Sequence, residues 1–317
     1  MKITVLDAAS LGDDLSLAPL SGFGEVTVFP STSPEELPER ISNCDVLIQN
    51  KVRITKEALS HAKNLRLICE AATGYDNIDL GAARERGIAV CNVPGYSASS
   101  VAQVTVAMTL SLVTHLPEFN THVSSGAYSE GDAANYLVPV YYELAGKTWG
   151  VVGYGAIGSQ VARVADALGC RVLVCRRNPK GEENEVNIDT LCRESDIISL
   201  HTPLTDETRG LIDVRRLTMM KDGAILVNMA RGAVTDEAAL AEAVKSGKLG
   251  GLGVDVYSVE PFGTNHPFYA IKDHPNVSFT PHMSWGAYES RARCLSIICS
   301  NIKAFLEGKT QNRVDLP

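Results

Sequence analysis

The feature that most constrains this chain is its rhythm: short apolar runs alternate with helix-like stretches almost from end to end. The first series stands at Ile3–Leu6, Val26–Phe29, Val46–Ile48, Leu67–Cys69 and Ile88–Cys91. Between these runs, Ser33-Pro34-Glu35-Glu36 predicts a helix opened by a Ser cap. Thr55-Lys56-Glu57-Ala58 predicts a second, and residues 77–86 a third, ended by Gly87. A long helical stretch from about Ser99 to His115 leads into the second series. It reads Trp149–Val152, Arg171–Val174, Ile197–Leu200, Ala224–Asn228, Gly253–Val256 and Val277–Thr280. Short apolar runs separated by helices are the mark of a buried parallel sheet. The pattern predicts an α/β chain of two doubly wound parallel-sheet units. Residues 119–142 break the rhythm and read as an excursion from the core.

Composition removes several function classes. A chain of 317 residues with 45% hydrophobic and 21% charged side chains is globular, with room for two cores. Its formal charge of −8 comes with no Lys/Arg block, which argues against nucleic-acid partners. An anion site must therefore be built locally, from Arg, Lys or a helix N-terminus. No apolar stretch reaches the roughly 18 residues a membrane helix needs, so no membrane partner is expected. The N-terminus runs straight into a strand pattern without a signal-peptide layout. None of the eight cysteines forms a CxxC pair, which points to buried thiols of a cytoplasmic protein with no metal site.

Gly153-Tyr154-Gly155-Ala156-Ile157-Gly158 follows the run Trp149–Val152 directly and opens a helix pattern. In that setting the spacing reads as a dinucleotide loop. Gly153 makes the tight turn, and Gly155 lets the backbone approach a pyrophosphate. Gly158 lets helix and strand pack closely, while the helix N-terminus meets the anion. An NAD site usually has an acid after the next strand, accepting from the ribose 2′-hydroxyl. Here that place holds Arg176-Arg177-Asn178. A guanidinium pairs with a 2′-phosphate where an Asp repels it. NADP(H) is therefore favoured, with NAD(H) possible if both arginines are merely solvated.

Three later segments each place a polar residue just past a predicted strand, where open α/β sheets bind ligands. They are Val227-Asn228-Met229-Ala230-Arg231-Gly232, residues 254–261 (VDVYSVEP), and Phe279-Thr280-Pro281-His282. Taken alone, Arg231 reads as a salt bridge, Glu260 as surface and His282 as structural. Together downstream of a nucleotide loop they suit reduction of a 2-keto acid. An Arg binds the carboxylate and polarises the carbonyl, a His supplies the proton, and a carboxylate favours the protonated imidazole.

These segments, in this order, resemble the D-isomer-specific 2-hydroxyacid dehydrogenase family over nearly the whole chain. Residues 72–79 (ATGYDNID) are similar to its substrate loop, and residues 94–103 (PGYSASSVAQ) to the entry into its interdomain helix. Leu200-His201-Thr202-Pro203 resembles its loop beside the nicotinamide. The resemblance implies that His282 is the acid in reduction and the base in oxidation, that Glu260 hydrogen-bonds it, and that Arg231 contacts the substrate. Thr73, Gly74 and Tyr75 would hold the substrate carboxylate. Tyr154, Gly155, Ala156 and Ile157 would hold the pyrophosphate, and His201, Thr202, Pro203, Ala230 and Asp255 would line the cofactor, Asp255 at the nicotinamide carboxamide. It also implies a Rossmann nucleotide domain, residues 98–284, inserted into a flavodoxin-like substrate domain of residues 1–97 and 285–317. Homodimers through the helix after Ser99 and the segment beyond it are usual in the family.

Within the family, Ser100-Val101-Ala102-Gln103 and Trp285 look most like glycerate dehydrogenases, also called hydroxypyruvate reductases. Bulky Tyr75 favours a small substrate, with hydroxypyruvate and glyoxylate first and pyruvate open. Glu260 stands where formate dehydrogenases carry a Gln. A second function class stays open, a non-catalytic NAD(H)-sensing protein of the C-terminal-binding-protein type. That class usually carries low-complexity tails, which are not seen here.

Overall fold

The structure is a computed structural model that describes residues 1–316. The chain divides into two compact units, one formed by Met1–Ser97 and the segment from Gly286 onward, the other by Ala98–Trp285. Trp285 thus falls in the second unit, one residue from the expected boundary. Pro317, the end of the expected substrate domain, lies outside the described residues.

The first unit holds parallel strands β1 (Lys2–Val5), β2 (Glu25–Val28), β3 (Val46–Gln49), β4 (Leu67–Glu70) and β5 (Ala89–Cys91), ordered β2-β1-β3-β4-β5. That is the flavodoxin-type succession. Its helices are α1 (Leu37–Ile41), α2 (Lys56–His61) and α3 (Leu80–Glu85), and the helix Tyr288–Leu306 returns to the same unit. β3 and β4 are buried along their whole length, which explains their unbroken apolar runs. The Thr55 cap forms as expected, with its hydroxyl accepting from Ala58 N–H. α1 and α3 start later than the sequence predicts. The Glu36 carboxylate takes the Ser33 N–H, and a turn fills residues 34–36. Residues 77 and 79 are spent on backbone bonds to Ile54, so α3 begins only after Asp79, which caps it.

The second unit carries β6 (Thr148–Val152), β7 (Arg171–Cys175), β8 (Ile197–Leu200), β9 (Ala224–Asn228), β10 (Leu249–Val254) and β11 (Val277–Phe279). All pairings are parallel, in the order β11-β10-β9-β8-β6-β7. Beyond β7 the third strand of a Rossmann sheet shrinks to one bridge, Val174 to Glu185. Seven helices complete the unit: α4 (Ala98–Thr114), α5 (Leu116–Ser124), α6 (Ala127–Glu130), α7 (Gly158–Ala167), α8 (Ile188–Glu194), α9 (Val214–Met219) and α10 (Glu237–Lys245). β10 starts four residues earlier than expected, because the glycines of Leu249-Gly250-Gly251-Leu252-Gly253-Val254 hide its apolar pattern. They are there for packing. A Cβ on Gly253 would lie 2.5 Å from Met108 Sδ, so the bare strand face is what admits α4. The buried hydroxyls of Thr105 and Thr109 in α4 donate to carbonyls one turn back, at 2.7 and 2.8 Å. The excursion after α4 is largely exposed, and Phe119 meets Tyr136 and Tyr141 edge-on there.

At the carboxyl ends of β1, β3 and β4 the first unit buries a polar cluster. Asp7 accepts from the N–H groups of Asn50 and Lys51. Asn77 donates to Gln49 Oε1 and to the carbonyls of Asn50 and Val52, and the Gln49 amide donates to Glu70. The chain 50–52 is thereby tied to the loop after β4. Glu70 is 1% exposed, and burial, with the Asp7 charge adding, pushes its carboxyl from 4.5 up to about 9. A carboxyl raised on folding favours the protonated folded form. The stability it supports is whole below about pH 4.5 and drains away as pH rises towards 9. Glu70→Gln keeps the shape but cannot ionise. Its melting temperature should gain on the parent's between pH 6 and 9, and parallel pH dependences would refute this account.

Candidate active site

The turn after β6 is built as the dinucleotide reading requires. Gly153 sits at φ +91°, open to glycine at little cost, and a Cβ there would lie 2.7 Å from the His201 carbonyl. A Cβ on Gly158 would strike the Gly153 carbonyl oxygen, so α7 packs directly on the turn. Gly155 faces open space. The N–H groups of Tyr154, Gly155, Ala156 and Ile157 have no hydrogen-bond partner among the described residues. Unpaired amides at the N-terminus of α7 fit a pyrophosphate. β6 and β8 are where the sheet order reverses, and the turn after β8 brings His201 and Thr202 against Gly153. Both ring nitrogens of His201 are buried and unpartnered, and burial pushes the imidazole down to about 3, so the ring is neutral. Pro203 is exposed beside it.

The arginines after β7 are not simply solvated. Arg176 lies over the Tyr154 ring at 4.7 Å, and its Nη2 donates to Glu182 at 2.9 Å. Its Nε is 2.5 Å from Glu185, an ion pair out of line for a hydrogen bond. Although burial opposes it, the N–H groups of Lys180, Glu182 and Gly181, with Arg176, hold the Glu185 carboxyl below its usual range. Arg177 is exposed and 3.6 Å from Glu207. Glu182 and Glu185 went unnoticed in the sequence because they come after the strand's end, on the bridge that replaces the next strand.

The three catalytic candidates, Arg231, Glu260 and His282, stand past β9, β10 and β11. Glu260 Oε2 is 2.7 Å from His282 Nδ1, and its Oε1 accepts from Tyr257 N–H at 2.9 Å. Glu260 thus faces the histidine in a fixed orientation. His282 itself takes a left-handed φ of +51°. Arg231 donates to the Ala230 carbonyl and pairs with no acid among the described residues. Ala230 is buried, its N–H bound to Asn228 Oδ1. A Cβ on Gly232 would lie 2.1 Å from Ser258 N, so the Arg231 segment rests on the turn that carries Glu260. A cavity of about 380 Å³ adjoins the pair, walled by Tyr257, Phe262, Phe279 and Pro281.

Asp255, expected at the nicotinamide carboxamide, directly follows β10. It is fully buried, and its oxygens accept from the Thr280 hydroxyl, Met283 N–H and both polar hydrogens of Ser284. Its work is to hold the segment that bears His282.

In the first unit, Thr73 Oγ1 donates to the Val93 carbonyl and Asn92 Nδ2 to the Thr73 carbonyl. The loop is thereby anchored, while the N–H groups of Thr73, Gly74 and Tyr75 have no partner among the described residues.

A profile described as D-isomer specific 2-hydroxyacid dehydrogenase, NAD binding domain, matches residues 106–284. The chain belongs to the D-isomer specific 2-hydroxyacid dehydrogenase family. Among its relatives, a hydroxypyruvate reductase of Blautia hydrogenotrophica is 37% identical, covering 99% of this chain and 100% of the relative. A glycerate dehydrogenase of Methylorubrum extorquens is 35% identical over 99% of both. Among solved structures, a D-lactate dehydrogenase from Aquifex aeolicus complexed with NAD and lactic acid superposes with a TM-score of 0.87, at 29% identity over 100% of both chains. An acyclic imino acid reductase in complex with NADPH and D-Arg has a TM-score of 0.87 at 30% identity, covering 99% of this chain and 100% of that one. The chain is therefore an oxidoreductase of the CH-OH-acting kind, with the family's nucleotide domain.

Proposed function

We propose that this 2-hydroxyacid dehydrogenase reduces hydroxypyruvate to D-glycerate or glyoxylate to glycolate. The observation that carries the chemistry is the 2.7 Å contact of Glu260 with His282 Nδ1. It leaves Nε2 as the nitrogen that exchanges a proton with substrate. The names of the relatives support the choice of substrate. A bound nicotinamide supplies the hydride. Amides 154–157 hold the pyrophosphate, and Arg231 binds and polarises the keto acid. The unpaired amides of Thr73, Gly74 and Tyr75 suit a carboxylate, and His282, kept oriented by Glu260, protonates the new alkoxide.

His282→Ala should lower kcat on the order of 10²–10⁴-fold with NAD(P)H bound normally. Arg231→Ala should damage both kcat and KM. A His282→Ala enzyme with parental kcat removes the proton-donor role. Tight NADH binding with no turnover on a panel of small 2-keto acids would favour a sensor instead.

For the cofactor, we assign NADP(H) preference to Arg176 and Arg177. The Glu182 carboxylate occupies the Nη2 edge of Arg176, where a 2′-phosphate would bind, and it must give way first. Glu182 is the exposed partner of a pair in which Arg176 is mostly buried, and a pair of this kind contributes on the order of 1 kcal/mol, within reach of a bound phosphate. Glu182→Gln should therefore tighten NADPH up to about fivefold in equilibrium titration, leaving NADH unchanged. A parent enzyme with clearly higher kcat/KM for NADH overturns the preference.

A second copy of this chain is the partner we assign to the exposed apolar side chains of Leu116, Val123, Leu137, Val138, Val140 and Tyr142. Sedimentation showing a monomer at micromolar concentration would remove that assignment.

A further inference from the structure

Apolar packing holds the turn bearing Glu260 at its two ends, where the Tyr257 and Phe262 rings meet at 4.8 Å, and not in between. Ser258, Val259 and Glu260 are all exposed, Val259 at 63%. Yet its carboxylate must stay in line with His282 Nδ1. The structure supplies a polar clamp from the neighbouring helix. Glu237, the first residue of α10, is buried and pairs with no Lys or Arg among the described residues. Its Oε1 accepts from Ser258 N–H at 2.9 Å, and its Oε2 accepts from the Ser258 hydroxyl. His266 Nε2 lies 3.0 Å from the same Oε2. The tautomer of His266 follows from its other nitrogen. Nδ1 accepts from Phe268 N–H, so Nε2 carries the proton and donates to Glu237. Phe262 stacks on the ring with centroids 4.9 Å apart.

The clamp also joins the two arms of the site. Glu237 lies six residues after Arg231, and Gly232 packs against Tyr257 and Ser258 with no room for a Cβ. The turn is thus held both by backbone contact and by the carboxylate. The ionisable groups around it are His266, which touches Glu237, and Tyr257, whose phenol also faces Asp255 and Glu260. Burial and those carboxylates push that phenol up, so it stays protonated.

We propose that Glu237, oriented by His266, is a positioning residue: by gripping Ser258 it sets the Glu260 carboxylate against His282. It touches neither substrate nor cofactor. The inference rests on His282 as proton donor and adds the residue that keeps its partner in register.

The test is the pH profile of kcat for keto-acid reduction. The reaction needs protonated His282, so the rate falls on the alkaline side. A slack Glu260 stabilises that form less, and the alkaline limb then moves to lower pH. Glu237→Gln keeps nearly the same volume, but its NH2 confronts His266 Nε2–H and loosens the clamp. Ser258→Ala removes one grip at an exposed position and leaves the core intact. Each should cost on the order of tenfold in kcat at neutral pH, with KM for the keto acid within about twofold, and should shift the limb. In a Glu260→Gln background, Glu237→Gln should shift the limb no further. If the limb stays put in both single variants while only melting temperature changes, Glu237 merely supports α10 and the proposal fails. A shift that persists without Glu260 also overturns it. A His282→Ala enzyme with parental rate sinks the underlying reading instead.

Discussion

Asp255 lies at the end of β10 with no exposed surface, and the chain after β11 bends back over it to satisfy its charge. Thr280, Met283 and Ser284 all give hydrogens to this one side chain, and His282 is caught between them. The left-handed φ of His282 follows from that closure. A non-glycine residue is held there only where its surroundings over-determine the bend. Each buried donor left unpaired would cost about 1–3 kcal/mol, so the segment has strong reason to stay. The position of His282 therefore depends on the buried carboxylate of Asp255.

Close backbone approach does similar work elsewhere. Gly153 against the His201 segment, Gly158 against Gly153, and Gly232 against Ser258 are contacts that a single methyl group would prevent. They bring the turn after β6 to the one after β8, and the turn after β9 to the one after β10. Side chains then complete what the bare backbone begins, as Glu237 does for Ser258.

Much of this was legible in the sequence, for physical reasons. Parallel strands buried on both faces are mostly apolar, so β6, β8 and β9 announce themselves. The nucleotide turn is local, and its glycines have fixed tasks at fixed spacing. Arg231, Glu260 and His282 were visible because polar residues just past strand ends stand out against the runs before them. What stayed hidden depends on distant partners. β10 was misplaced because its glycines answer to Met108, far away in the chain. The α1 and α3 starts were set by competing turn and bridge bonds. Nothing near Asp255 in the sequence shows that Thr280, Met283 and Ser284 will bond to it. Arg176 was read without Glu182 and Glu185, and the Glu237–His266 contact spans 29 residues with no motif to mark it.

The shrunken strand beyond β7 has an effect unrelated to chemistry. A full Rossmann edge would leave a row of unpaired backbone groups facing solvent. Here β7 is met at Val174 alone, by a segment rich in Glu that folds back on its own amides. A short, charged and internally satisfied border gives a foreign strand little to pair with. The loop that grips Arg176 therefore also guards the sheet's open margin against edge-to-edge aggregation.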